Sequence, residues 1–379
     1  MRREDIKKLS DPYTHEKGTL DRRFNSAVGA DIPSAHKLAE EIFSDIDPNV
    51  LGIRWWQGTP AEERILIGDY LYQCVTGIET NMVEAKLHYM EWTSALEEDN
   101  KIIADVIKRK TDGDYEFKMP PSKSALDDLP ARLLNLHACG FLRAIGSSLD
   151  CLGAAIIGVL ALPTSLRRGD ITRAIKALPK TNPSNDSGIQ IQTEFKSFFE
   201  DVKGSCGTPD WLEWADQYRN MYVHRGRRTT HHQIIPRENR LYDAQDNWIP
   251  RADVAIHLAK YPDRTDIEAF IKSRDINLNE DAGSTLDGIF RSCRELNEIV
   301  CERLVSIWVE RRNNPSLLEQ PATQWDDKIR ECSFTGYNTS AGPLEADAGF
   351  TNPALKRRML AAAVFDQFRK FWDNSKWKK

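Results

Sequence analysis

The sequence predicts an all-α protein. Apolar residues recur at spacings of three and four over several long stretches, and Gly, Pro or N-cap residues bound these stretches. Strand-like alternation is confined to two short pieces of one segment. With 379 residues, 40% apolar and 29% charged, the chain can bury a sizeable core, which excludes a disordered or low-complexity protein. The formal net charge of −5 excludes a protein coated in positive charge, so a nucleic-acid site has to be a local patch.

Residues 1–60 read as an N-terminal extension in which charged segments alternate with Pro and Gly. Thr59 then stands as an N-cap before Pro60, and a helical pattern runs from about 60 to 110, broken or bent near Gly77. A second long helix is expected from about Pro130 to Leu162, stopped by Pro163. Its face carries Gly146, Asp150, Gly153 and Ala154, a stripe of small residues that lets another helix come close. Its most apolar part, Cys151 to Leu162, is shorter than the roughly 20 residues of a membrane span and reads as a buried core helix.

A short helix and a loop occupy 164–187, and another helix ends near Lys203. Thr208 and Pro209 are expected to start the next helix, which carries Trp211, Trp214, Tyr218 and Tyr222 and stops at Gly226. A mixed insertion follows over 229–280, with strand-like pieces at His232 to Ile235 and Val254 to Leu258 and a short helix near Ile267 to Ser273. The last strong helix spans about 282–312, with a stripe of Leu286, Ile289, Phe290, Cys293, Leu296, Val300, Leu304 and Trp308. Residues 316–379 form a C-terminal extension with one helix near Pro353 to Trp372, so the bundle proper covers 61–315.

The seven Cys are odd in number and never spaced as C-x-x-C. Neither a disulfide framework nor a zinc site is expected, and a reducing cytoplasm fits. The N-terminus, MRREDIKKLSDPYTHEK, has no apolar core of the kind a signal peptide needs. The ten Trp sit at helical spacings, which suits core packing better than base stacking. His231 and His232 lack a further ligand at metal-binding spacing, so no metal or other cofactor is expected.

The chemistry concentrates at the end of the helix that starts at Thr208, in Arg219-Asn220-Met221-Tyr222-Val223-His224, followed by the cationic run Arg225, Arg227 and Arg228. Asn220 and His224 are at i and i+4 and share a face, and Arg219 is long enough to swing towards it. A guanidinium matches a phosphate as a planar fork, an imidazole moves protons near neutral pH, and an amide can fix its tautomer. That set suits attack of a ribose 2′-hydroxyl on the adjacent phosphodiester, with the flanking arginines holding the backbone. Asp150 reads either as a helix–helix contact, with Arg143 seven residues earlier, or as a residue that positions Arg219 or His224. A plainer reading keeps Arg219 and His224 as cations at a helix C-terminus, where the dipole favours them. Other Arg-to-His pairs, such as Arg227 to His232 and Arg251 to His257, lack the adjoining Asn.

The R-N-x-x-x-H spacing resembles the signature of HEPN-domain ribonucleases, metal-independent RNA-cutting helical bundles with this motif near the end of one helix. The S-S-L-D piece at Ser147 to Asp150 resembles the acid-bearing helix that some members pack against the motif. The resemblance covers roughly 61–312. It implies Arg219, Asn220 and His224 as catalytic residues and Asp150 as a supporting one. It also implies an RNA substrate, a symmetric homodimer that brings two motifs together, no membrane, and a role as a toxin or in defence against phages.

Overall fold

A computed structural model describes residues 24–47, 52–59, 61–109, 115–117, 129–179, 186–224, 231–235, 240–242, 248–250, 253–261, 277–320 and Tyr337. Most of these residues are helical and few are in strands, so the protein is mostly α. The strands form four separate two-stranded antiparallel pairs.

Two helices make the spine. Helix α2 (Ala61–Val106) runs unbroken through Gly77 for 46 residues, roughly 70 Å at 1.5 Å per residue. Helix α3 (Leu129–Val159) packs along it. The close approaches of Gly158 to Leu71, Gly77 to Cys151 and Gly140 to His88 run in opposite chain directions, so the pair is antiparallel. Helix α3 is long and apolar enough to cross a membrane, but 78% of its most apolar window is buried inside the protein, as in a core helix. Pro163 is separated from Val159 by three residues, close to the stop expected from the sequence.

Helix α7 (Ala282–Asn313) closes the bundle, and all eight residues of its expected stripe are buried. It starts at Asp281, whose carboxylate accepts from the Ser284 N–H at 2.9 Å. A buried polar chain fixes the three long helices together. Asn297 of α7 donates to Ser148 Oγ of α3 at 3.0 Å, and Ser148 donates to the Ile78 carbonyl of α2 at 2.9 Å. Each group satisfies another's hydrogen-bonding need away from water.

Residues from the expected N-terminal extension pack onto this frame. Helix α1 (Pro33–Asp45) lays Leu38 and Ile42 against α7 and α2, and Trp55 and Trp56 meet Trp308 in edge-on contacts at 5.0 and 6.0 Å. A 13-residue helix needs such a partner to persist. Between α1 and α2 lies the pair β1 (Ile46–Asp47) and β2 (Gly52–Ile53). The pair β3 (Ile107–Arg109) and β4 (Tyr115–Phe117) extends the end of α2.

Helices α4 (Ile171–Ala177), α5 (Asp186–Cys206) and α6 (Trp211–His224) complete the bundle. The chain reaches α4 through a 3-10 turn, Leu166–Arg168. Gly153 is where α3 meets that connection, because a Cβ there would sit 2.4 Å from the backbone carbon of Asp170. Helix α6 starts later than the Thr208–Pro209 signal suggested. Asp210 takes a left-handed backbone, φ 62°, and turns the chain before Trp211. In the insertion, β5 (His231–Ile235) pairs antiparallel with β8 (Asp253–His257), and β6 (Arg240–Tyr242) with β7 (Trp248–Pro250). The expected short helix near 267–273 and the C-terminal helix near 353–372 lie outside the described residues.

Candidate functional site

Helix α6 presents two faces. Its inner face is pinned by aromatic side chains. Trp211 Nε1 donates to the Lys203 carbonyl at 3.2 Å, and Trp214 Nε1 donates to the Ala259 carbonyl at 3.2 Å. The Tyr218 hydroxyl accepts the Ala259 N–H at 3.3 Å. Tyr218 and Met221 are buried. These anchors fix the rotation of α6, so Asp216, Arg219 and Asn220 must lie towards α3 and the surface.

Arg219 crosses α3 at Gly146. A Cβ at that glycine would stand 2.1 Å from Arg219 Cδ, so only a glycine leaves the groove in which the side chain lies. Beyond it, Arg219 Nη1 donates to Asp150 Oδ2 at 3.0 Å, and Nη2 lies 3.7 Å from Asp216 Oδ1. The Asn220 amide donates to Asp216 Oδ2 at 3.2 Å. Asp216 thus holds the guanidinium and the amide together. The sequence contained the signal for it: Asp216 precedes Arg219 by three and Asn220 by four, the spacings of helical neighbours. Arg143, the other partner considered for Asp150, donates instead to Glu84 at 2.8 Å.

A cleft of about 340 Å³ opens beside Arg219, between α3, α4, α5 and α6. Leu149, Ile171, Ile175, Phe199 and Leu212 make its apolar surface. Asp150, Asp216 and Arg219 stand on one side of the polar lining. Lys203 also lines the cleft, bonded to Glu200 at 3.0 Å and to Glu213 at 2.9 Å. Lys176 is an exposed cation of the same lining. The charges nearly balance, so the cleft by itself is no phosphate trap.

Burial pushes the Asp150 carboxyl above the usual carboxylate range, and the Arg219 guanidinium brings it only part of the way back. A folded-state pKa above the unfolded one means that ionisation opposes folding. That penalty is fully present above the folded pKa and disappears as pH falls below the unfolded value. Asp150→Asn should therefore keep or raise the thermal midpoint at pH 7, with the gap from wild type closing in acid. Scanning fluorimetry across pH checks this, and a clear drop at pH 7 would mean that the pairing with Arg219 outweighs the burial.

The backbone of α6 continues to His224, one turn beyond Asn220. The His224 side chain and residues Arg225, Arg227 and Arg228 lie outside the described residues, as do the side chains of His231 and His232. The structure brings Arg219, Asn220 and Asp150 together around Asp216 and places the helical position of His224 next to them. Sequence reasoning also missed two contacts made only by tertiary packing. His88 and His137 approach at 3.1 Å between their Nδ1 atoms across α2 and α3. Asp31, His36 and Glu79 gather where α1 meets α2. No protein-family model, curated protein or solved structure matches this chain.

Proposed function

We propose that the protein is a metal-independent endoribonuclease that cuts RNA by attack of the 2′-hydroxyl, leaving 2′,3′-cyclic phosphate ends. The observation that carries this reading is Arg219, seated over Gly146 and held by Asp150 at the rim of a cleft, one turn before His224 on the same helix. His224 moves the proton, Arg219 stabilises charge on the transferring phosphoryl oxygens, and Asn220 orients the imidazole. A guanidinium has five N–H donors, so Arg219 can keep Asp150 and still offer donors to a phosphate. Arg225, Arg227 and Arg228 hold the flanking backbone. One motif supplies one imidazole, so a homodimer that pairs two motifs supplies both acid and base. The setting is the cytoplasm, in a toxin or phage-defence role.

The test is cleavage of total cellular RNA by purified protein, with chelator present and absent. His224→Ala should lower the rate roughly 10²–10⁴-fold, and Arg219→Ala roughly 10²–10³-fold. Equal cleavage by all three proteins sinks the proposal. The contacts that already engage Arg219 with Asp150 and Asp216 favour one other reading, an RNA- or nucleotide-binding module that does not cut. It predicts salt-sensitive RNA binding that survives His224→Ala.

A further inference from the structure

Helix α1 begins without a cap of its own. Pro33 occupies its first turn and Ile32, at the N-cap, has no side-chain oxygen to offer. Other helices supply the acceptors: Glu298 of α7 takes the Ser34 N–H at 3.2 Å, and α2 serves the N–H just before it. The buried Glu79 takes the Ile32 N–H on Oε2 at 3.0 Å, and the Asn25 amide donates to Oε1. One turn into α1, His36 turns its Nε2 to the same carboxylate, 2.7 Å from Glu79 Oε2. Asp31 Oδ1 stands 3.8 Å from that nitrogen. The three ligand atoms lie within 4.8 Å of one another.

We propose that Asp31, His36 and Glu79 form a binding site for a divalent first-row cation such as zinc or manganese. Three features of the cluster carry this. The donor set is one imidazole nitrogen and two carboxylates, which such ions accept. With the imidazole neutral the cluster holds two negative charges, which one dication balances. The separations also bracket what coordination needs. Ligand atoms at about 2.0–2.2 Å from one tetrahedral ion are roughly 3.3–3.6 Å apart, between the 2.7 and 3.8 Å found here. The third pair, Asp31 to Glu79, lies within 4.8 Å.

The surroundings suit a bound ion. Glu79 is held by the Asn25 and Ile32 donors, the kind of outer contact that orients a ligating carboxylate. Arg294 of α7 fixes the Asp31 backbone by donating to its carbonyl at 3.1 Å. The Glu79 side chain is 5% exposed while those of Asp31 and His36 are 26% and 28% exposed, so one side stays open for water ligands. On binding, Nε2 gives up any proton to coordinate the metal, and the neutral ring carries its proton on Nδ1. The ion would tie α1 to α2 and serve structure, separately from the chemistry at α6.

The experiment uses the full chain, stripped with chelator, desalted, and titrated with zinc and separately with manganese. Calorimetry gives the affinity, and elemental analysis after desalting gives the stoichiometry. One ion per chain is expected with at least one of the two metals, raising the thermal midpoint of the wild type. Asp31→Asn should weaken binding at least tenfold and His36→Ala should abolish it. Both side chains are partly exposed, so circular dichroism should show folded variants. Glu79→Gln is a poorer test because Glu79 also caps α1. Cobalt substitution separates this site from the cysteines, since nitrogen and oxygen ligands give no thiolate charge-transfer band. Failure of both metals to bind the wild type, equal uptake by the two variants, or a thiolate band would each overturn the proposal.

Discussion

Arg311→Leu is expected to cost about 3–5 kcal/mol of folding stability, enough to leave little folded protein at 37 °C if the parent is marginal. Arg311 is fully buried in α7, and among the described residues its hydrogen bonds go to carbonyls and an amide, not to a carboxylate. Its guanidinium closes the C-terminal end of α3, where helix carbonyls have no partner of their own. Nη1 donates to the Gly158 and Val159 carbonyls at 3.0 and 2.7 Å. Nη2 donates to the Leu318 carbonyl at 3.0 Å and to Gln320 Oε1 at 3.2 Å. Trp55 covers the group, 5.3 Å from ring centre to guanidinium carbon. Burial lowers its pKa to about 9, so it remains charged at neutral pH. Leucine would take this donor from the Val159 and Leu318 carbonyls, while Gly158 keeps the Ala161 N–H at 3.4 Å. Lysine, a single ammonium in place of a fork, should recover only part of the loss. Urea denaturation followed by circular dichroism measures both, and a cost under about 1 kcal/mol for the leucine variant would show that water replaces the guanidinium.

Asp45→Ala should cost a comparable amount, about 3 kcal/mol or more. The Asp45 side chain is fully buried at the end of α1, and its Oδ2 accepts from Trp308 Nε1 at 2.9 Å and from Arg312 Nε at 2.8 Å. Removing it strands an indole N–H in the core and leaves Arg312 with Glu41 alone. Asp45→Asn keeps an acceptor and should cost less. The same urea titration ranks the pair, and equal losses would mean that the charge, and not the hydrogen bonds, holds the junction.

These two residues show what a single sequence reveals and what it hides. Periodicity is local, so the stripe from Leu286 to Trp308 was legible, and so were the spine helices and the two strand pieces that pair as β5 and β8. Arg311 lies one turn from the end of that stripe and reads from sequence as a surface cation. Only the arrival of the α3 C-terminus makes it a core residue. Likewise Asp150 has a legible face but not a legible partner, since its spacing to Arg143 favours a plain contact within α3 over the motif. The turn at Asp210 overrode the Thr208–Pro209 start signal, because a left-handed residue can redirect a chain that the local code would continue. Helix α1 was passed over because a short helix owes its existence to the groove that receives it. Asp31, His36 and Glu79 come from two helices and a loop, and no spacing rule joins them.

Two of the four glycines of α3 serve as markers for comparing descendants of this chain. At Gly153 an added methyl would collide with main chain, so a replacement there disturbs the bundle itself. At Gly146 it would collide only with the side chain of Arg219, which can swing away. A relative that keeps the first glycine but carries alanine at the second would be a sound scaffold that has surrendered its arginine seat. On the proposed reading, such a sequence would keep the bundle and lose RNA cleavage.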